Sequence, residues 1–248
     1  MLGTKMTLTL FKCFIFKGQN IKPMQKLLLL SVFIGCLFLL SFRDDKKKKI
    51  VFFGDSITEA GAKPGGYIKV MEQMLANAGK AQKYELVGAG IGGNKVYDLF
   101  LRMDNDVLSK NPDIVVIYIG VNDVWHKASS GTGTDYWKFG PFYEAIVKKI
   151  QATGAKVVVC TPGVIGERTD NSNQLDGDLN LYSKWIRDFS AKNNLPLVDV
   201  RKVFMDYNTA NNPSNQESKI LTTDRVHLNE KGNAVLAEAM WNVLAPMY

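Results

Sequence analysis

Cysteine and histidine are scarce in this sequence, and their scarcity limits the chemistry that the chain can perform. There are three cysteines and two histidines among 248 residues. Only Cys160 lies beyond residue 49, so the body of the chain cannot form an internal disulfide, and no spacing typical of a zinc site is present. A reaction that needs an imidazole base therefore has two candidates, His126 and His227.

Net charge is also lacking in most of the chain, although the whole sequence has a formal charge of +7. Residues 1–49 carry ten of the 31 basic and two of the 24 acidic side chains. Residues 50–248 carry the other 21 basic and 22 acidic side chains and are close to neutral. A nucleic-acid-binding domain would show a basic stripe, so we expect no nucleic-acid partner.

Residues 1–48 are predicted to be an N-terminal leader that precedes a domain over residues 49–248. Within the leader, residues 27–42 form a mostly apolar run of sixteen residues, with Lys22 and Lys26 just before it. This pattern suits the core of a signal peptide and is somewhat short for a transmembrane helix of about 20 residues.

The processing of this leader stays open. A cleaved signal peptide, a retained membrane anchor through residues 27–42 and a lipoprotein acylated at Cys36 are the alternatives, and Met24 is an alternative start. No small-x-small cleavage site follows the apolar run, and Lys46–Lys49 places a basic block after it. We expect an exported protein: periplasmic, extracellular or anchored to a membrane.

Beyond the leader, short apolar runs alternate with helical patterns. Nearly continuous runs rich in Val, Ile and Tyr indicate strands buried on both faces, at 49–54, 84–88, 113–120, 156–161 and 196–200. Helical patterns follow at 66–78, 95–109, 139–153, 177–193 and 229–245. This alternation predicts a five-stranded parallel sheet with right-handed crossovers and helices on both faces. Long irregular stretches, predicted to be binding loops or lids, remain at 121–138, 162–176 and 206–226.

Four polar segments fall where ligands bind in such a sheet, at the carboxyl ends of its strands. Ser56 follows the first strand, the glycine cluster 90–94 the second and segment 120–123 the third, while Asp224 and His227 precede the last helix. A histidine can take the proton of a serine hydroxyl while an aspartate holds the other ring nitrogen. Ser56 alone can equally be interpreted as a helix N-cap, but the Asp–His pair favours a nucleophile.

Together these segments resemble the SGNH (GDSL-type) serine hydrolase family over about residues 50–245. The four blocks that carry the resemblance are 54–58, the glycine cluster ending at Gly93, 120–123 and 224–227. The resemblance implies a flavodoxin-like three-layer α/β/α sandwich with a five-stranded parallel sheet. It also implies an esterase that works through an acyl-enzyme on Ser56, with His227 as base and Asp224 as its orienting partner. No metal and no organic cofactor is implied.

The resemblance further implies an oxyanion hole, the set of hydrogen-bond donors that stabilises the tetrahedral intermediate. Its donors would be the backbone N–H of Ser56, the backbone N–H of Gly93 and the side chain of Asn122. Because Gly92 directly precedes Gly93, the sequence leaves the donor open between these two glycines.

Candidate pocket residues lie beside these blocks. His126 and Trp125 follow the third block and are interpreted as contacts for substrate, although an exposed loop histidine and loop packing are the simpler alternatives. Asp55 is a further candidate for the pocket. Asp55 and Asp123 are also expected to act as structural hydrogen-bond partners rather than as chemical groups.

The predicted function is hydrolysis of short-chain or acetyl esters of a carbohydrate or other small molecule. A lysophospholipase or other lipid acyl-ester hydrolase is one alternative, and a non-catalytic ligand-binding module on the same fold is another. Residues 88–93 also match the dinucleotide-binding pattern G-x-G-x-x-G. That pattern normally follows the first strand, whereas here it follows the second, so a dinucleotide cofactor is not expected.

Overall fold

The computed structural model of the chain describes Met24 and residues 46–247. The predicted leader, with its apolar run at 27–42, therefore lies almost entirely outside the described residues, and its role stays a prediction. Residues Lys47–Tyr248 form one compact unit. Within the part of the chain that the structure describes, no helix combines the length and the apolar character needed to cross a membrane.

Five parallel strands form one sheet in the order β2-β1-β3-β4-β5. They are β1 Lys48–Gly54, β2 Tyr84–Gly90, β3 Ile114–Tyr118, β4 Lys156–Cys160 and β5 Leu197–Val198. Every residue of β3 is buried, as the continuous apolar run predicts for a central strand covered on both faces. The predicted α/β fold with a five-stranded parallel sheet is confirmed.

Eight α-helices accompany the sheet in the described residues. They are α1 Ser56–Gly61, α2 Tyr67–Asn77, α3 Val96–Asp106, α4 Val121–Ser129, α5 Tyr136–Gln151, α6 Asp176–Asn193, α7 Val200–Asn211 and α8 Glu230–Leu244. The strand order reverses at β1, so right-handed crossovers place α2 and α3 on opposite faces. The helix α8 packs against α2, and α5 packs against α3, which completes the two helical layers.

Two helices lie in segments that the sequence analysis assigned differently. Residues 121–129 were predicted to begin a loop but form α4, and residues 200–211 form α7 although the pattern indicated a strand end and then a loop. Both segments contain residues of modest helix propensity, such as Asn, Asp, Val and Thr. In α7 the buried residues Val200, Phe204 and Asn208 recur every four positions, so packing against the core stabilises the helix.

The first helix lies very close to the end of β2. A Cβ atom on Gly90 would stand 2.1 Å from the Glu59 backbone nitrogen and 2.5 Å from the Thr58 carbonyl carbon. These are backbone atoms of α1, so they cannot give way as the end of a flexible side chain would. Only a residue without a side chain at position 90 allows α1 to lie this close to the end of β2.

We expect Gly90→Ala to destabilise the domain by about 3 kcal/mol, or roughly 6–12 °C in Tm, because the new methyl group displaces α1. The matched control is Gly177→Ala in the first turn of α6, where an added Cβ meets nothing within 4 Å. Thermal unfolding of both variants checks this, and equal Tm values for the two variants would contradict it.

Candidate active site

Ser56 lies on a tight connection between the end of β1 and the start of α1. A Cβ on Gly54 would stand 2.4 Å from both Thr58 Oγ1 and the Tyr118 carbonyl oxygen, so only glycine fits before the turn. The Asp55 carboxylate then caps α1 by accepting the Ile57 N–H at 3.0 Å. The turn thereby places the Ser56 hydroxyl at the carboxyl edge of the sheet.

His227 and Asp224 meet this hydroxyl from the other end of the sequence. His227 Nε2 lies 3.0 Å from Ser56 Oγ, and His227 Nδ1 lies 2.7 Å from Asp224 Oδ2. Both distances are within hydrogen-bond range, so the structure brings together the three residues that the sequence analysis singled out. Their order, hydroxyl to imidazole to carboxylate, is that of a serine nucleophile with its base and orienting acid.

A short turn delivers the Asp–His pair. The second oxygen of Asp224 accepts the backbone N–H groups of Val226 at 3.1 Å and of His227 at 2.8 Å. Partial burial raises the pKa of the Asp224 carboxyl, but the hydrogen bonds from the His227 ring and backbone outweigh it and hold the pKa below its usual value. Asp224 is therefore ionised at neutral pH and accepts the N–H of the His227 ring.

The triad is open to solvent. The side chains of His227 and Asp224 are 38% and 52% exposed. Because the base and its partner lie at the surface, a bulky substrate can reach the serine without entering a tunnel.

The structure distinguishes the two glycines that the sequence left open. The Gly92 N–H donates to Glu59 Oε2 at 2.9 Å and is thus already engaged. Gly93 has φ +74, and its N–H has no hydrogen-bond acceptor among residues 46–247. Lys95 Nζ holds the same peptide turn by donating to the Gly93 carbonyl at 2.8 Å. Gly93 is therefore the glycine whose N–H is available to a ligand.

Asn122 lies in the first turn of α4, next to this loop. Its side chain is buried, and Nδ2 donates one N–H to the Asn94 carbonyl at 3.2 Å. An amide nitrogen carries two N–H groups, so the second remains for a substrate. The neighbouring Asp123 is also buried, and its carboxylate caps α3 by accepting the Val96 N–H at 3.0 Å. Asp123 thus has the structural role that the sequence analysis expected.

Arg102 is a contributor to this geometry that the sequence analysis missed. Its guanidinium donates to the carbonyls of Gly54 at 2.7 Å and of Ala89 at 3.0 Å, and to Asn94 Oδ1 at 2.6 Å. It thereby connects the end of β1, the end of β2 and the glycine loop. No local motif marks Arg102, because its acceptors lie in three separate segments of the chain.

The two predicted pocket residues on α4 flank the triad. The Trp125 ring lies edge-on to the His227 ring, with centroids 6.5 Å apart. His126 Cε1 lies 3.7 Å from the position that a Cβ on Gly93 would occupy. Partial burial and the nearby Lys95 ammonium lower the pKa of His126, so His126 is a neutral imidazole at pH 7. His126 is not part of the triad.

The third predicted pocket residue, Asp55, lies elsewhere. Its side chain is 2% exposed and faces the backbone of α1 rather than the open surface, because it serves as the helix cap. Burial raises the pKa of this carboxyl to about 7, with a smaller contribution from Asp123. Asp55 therefore caps the helix that begins with Ser56 and does not line the pocket.

Known proteins resemble both the sequence and the structure. Residues 52–235 match the GDSL-like Lipase/Acylhydrolase family. An acetylxylan esterase from Geobacillus stearothermophilus is 27% identical over 207 residues, which are 77% of this chain and 91% of the relative. The crystal structure of the acetyl xylan esterase AlAXEase is 58% identical, with a TM-score of 0.77 over 78% of this chain and 98% of that one.

A second solved structure extends the comparison. LAE5, an alpha/beta hydrolase enzyme from the metagenome of Lake Arreo, Spain, is 26% identical, with a TM-score of 0.71. The match covers 81% of this chain and 96% of LAE5.

We expect Asp55→Asn to change how stability depends on pH. The amide oxygen can still accept the Ile57 N–H, but the buried group no longer ionises. Because the pKa is raised from 3.8 to about 7 on folding, the wild type loses stability as the pH rises from about 4 to about 7. The Tm advantage of Asp55→Asn should therefore grow over this range and level off above it.

Thermal unfolding of both proteins at steps between pH 4.5 and pH 9 measures this difference. Glu144→Gln is the control, because Glu144 is exposed and its pKa is lowered by the hydrogen bond from Lys148. Parallel Tm curves for the wild type and Asp55→Asn would refute the prediction.

Proposed function

We propose that this chain, which belongs to the GDSL-like lipase/acylhydrolase family and is a carboxylic ester hydrolase, removes acetyl groups from acetylated xylan. The observation that carries the proposal is the 58% identity to the acetyl xylan esterase AlAXEase, which extends over 78% of this chain. The arrangement of Ser56, His227 and Asp224 supplies the groups that such a reaction needs.

In the first step Ser56 Oγ attacks the carbonyl carbon of the ester. His227 Nε2, 3.0 Å away, takes the hydroxyl proton as the new C–O bond forms. The electron pair of the carbonyl π bond moves to its oxygen. Asp224 stabilises the imidazolium that results, through the 2.7 Å contact with Nδ1.

The oxyanion of the tetrahedral intermediate then needs fixed donors. We assign this role to the backbone N–H groups of Ser56 and Gly93 and to the free N–H of Asn122. Ser56 is the first residue of α1, so its N–H has no intrahelical acceptor. Each donor of this kind typically contributes about 3–4 kcal/mol to the stabilisation of the transition state.

Collapse of the intermediate breaks the ester C–O bond, and the sugar hydroxyl leaves with the proton from His227. The acetyl group stays on Ser56 as an acyl-enzyme. A water molecule gives its proton to His227 and attacks the acetyl carbonyl. Acetate then leaves, and the proton returns to Ser56 Oγ.

Two features of the site support an acetylated polysaccharide as substrate. The exposure of His227 and Asp224 leaves room for a polymer chain across the site. The half-buried Trp125 beside His227 supplies an aromatic wall of the kind that lines many ligand sites.

We expect Ser56→Ala to lower the hydrolysis of p-nitrophenyl acetate by at least about 1,000-fold, because the nucleophile is lost. Across p-nitrophenyl esters from acetate to laurate, the wild-type rate should be highest for acetate and fall steeply with chain length. Ser109→Ala, in the connection between α3 and the start of β3, is the matched control and should retain full activity. Rates that rise with chain length would count against the acetyl preference.

We expect the wild type to release acetate from acetylated xylan and no fatty acid from lysophosphatidylcholine. Acetate and fatty acid are measured in parallel assays, with Ser56→Ala as the blank. Fatty-acid release without acetate release would replace the proposed substrate with a lipid. Activity on p-nitrophenyl acetate without acetate release from acetylated xylan would support the esterase chemistry and exclude xylan as the substrate.

A further inference from the structure

A buried carboxylate behind the triad has no part in the chemistry described so far. Glu167 lies seven residues after the end of β4, and its side chain is 1% exposed. Its two oxygens accept three successive backbone N–H groups: Oε2 binds Ile220 at 2.9 Å, and Oε1 binds Leu221 at 2.6 Å and Thr222 at 3.0 Å. Hydrogen bonds to an ionised acceptor are roughly twice as strong as neutral ones.

These three N–H groups belong to the stem of the turn that carries Asp224 and His227. Thr222 is fully buried, and its Oγ1 accepts the Arg225 N–H at 3.1 Å. The Thr223 N–H donates to the His227 carbonyl at 2.7 Å and closes the turn. Thr222 and its neighbours therefore hold the turn in its position.

The turn has a backbone that needs such support. Lys219 and Arg225 have φ +83 and φ +86, in the left-handed region that residues with side chains rarely adopt. Residues in this region persist when surrounding contacts hold them. Segment 166–167 supplies these contacts on both sides, since the Gly166 N–H donates to the Arg225 carbonyl at 2.9 Å and the Glu167 N–H to the Glu217 carbonyl at 3.0 Å.

We propose that Glu167 is a positioning residue that holds the Asp224–His227 turn at the distance from Ser56 that proton transfer requires. The inference rests on the proposed function, because it assigns Glu167 to the same catalytic site. Among the described residues Glu167 makes no hydrogen bond to the side chains of the triad, so it acts through the backbone of the turn.

The charge and the two acceptor oxygens of Glu167 are what this role needs. In Glu167→Gln the volume is kept, but one acceptor oxygen becomes an NH₂ group that faces backbone N–H donors. At least one of the three N–H groups then loses its partner, and the turn shifts. A shift of about 1 Å in a catalytic group can lower a rate by about 100-fold. We expect kcat on p-nitrophenyl acetate to fall about 10- to 100-fold with KM changed by less than about twofold.

The control is Asp176→Asn, which also removes a partly buried carboxylate. Asp176 pairs with the buried Arg201 at 2.6 Å and accepts a hydrogen bond from Asn173, and no side-chain hydrogen bond links it to the turn within residues 46–247. We expect Asp176→Asn to lower Tm while leaving kcat within about twofold of the wild type. A loss of activity in Glu167→Gln that followed from lower stability alone would appear in Asp176→Asn as well.

A double-mutant cycle with Asp224→Asn distinguishes positioning from a general structural role. If Glu167 acts through the Asp–His pair, Glu167→Gln in the Asp224→Asn background should cost less than about twofold in kcat, because the pair is already impaired. Losses that multiply in full would overturn the proposal, as would a kcat of Glu167→Gln equal to that of the wild type. Absence of Ser56-dependent activity in the wild type would instead refute the proposed function.

Hydrogen exchange on the wild type keeps the proposal testable if Glu167→Gln fails to fold. The amides of residues 220–222 should exchange at least about 100-fold more slowly than the amide of Asp224. Asp224 is exposed, and its N–H has no hydrogen-bond acceptor among residues 46–247. Exchange of the 220–222 amides at the rate of an unprotected loop would overturn the proposal.

Discussion

The proposed catalysis depends on one contact, the 3.0 Å hydrogen bond between Ser56 Oγ and His227 Nε2. The two residues lie 171 positions apart, so no local preference of the chain can bring them together. The parallel sheet presents Ser56 at the carboxyl end of β1. The Tyr67 N–H at the start of α2 donates to Asn233 on α8 at 2.9 Å, which ties the helix after α1 to the helix that follows His227.

The glycine loop after β2 shows how neighbouring contacts leave a single donor free. Glu59 engages the N–H of Gly92, while Lys95 binds the Gly93 carbonyl and Arg102 binds the side chain of Asn94. The N–H of Gly93 therefore has no competing acceptor among residues 46–247. Donors fixed before the reaction need no reorganisation when charge develops, which is the physical basis of an oxyanion hole.

Buried carboxylates recur behind this edge of the sheet. Asp55, Asp123 and Glu167 each accept backbone N–H groups at the start of a helix or in the loop before one. Burial raises the pKa of Asp55 to about 7 and that of Asp123 to about 6, so their charged forms reduce stability at neutral pH. Stability is therefore below its maximum at this edge of the sheet, as is common where function requires a particular geometry.

Most of the strands and helices and the three triad residues could be predicted from the sequence. Continuous apolar runs identify the strands to within two residues at each end, because strands covered on both faces need apolar side chains throughout. Among residues 46–247, five of the six helices with eleven or more residues were predicted to within three residues at each end, whereas α7 was missed. The triad could be named because its members are rare or lie in recognisable blocks, and only two histidines compete for the role of base.

Other features exist only in the folded chain. The choice of Gly93 over Gly92 depends on Glu59, 33 residues away, and the support of the catalytic turn depends on a carboxylate 55 residues from Thr222. The burial of Asp55 and the helical state of residues 121–129 likewise follow from packing. Motifs and periodicity report local preference, whereas these contacts join distant segments whose meeting is determined by the packed sheet and its helices.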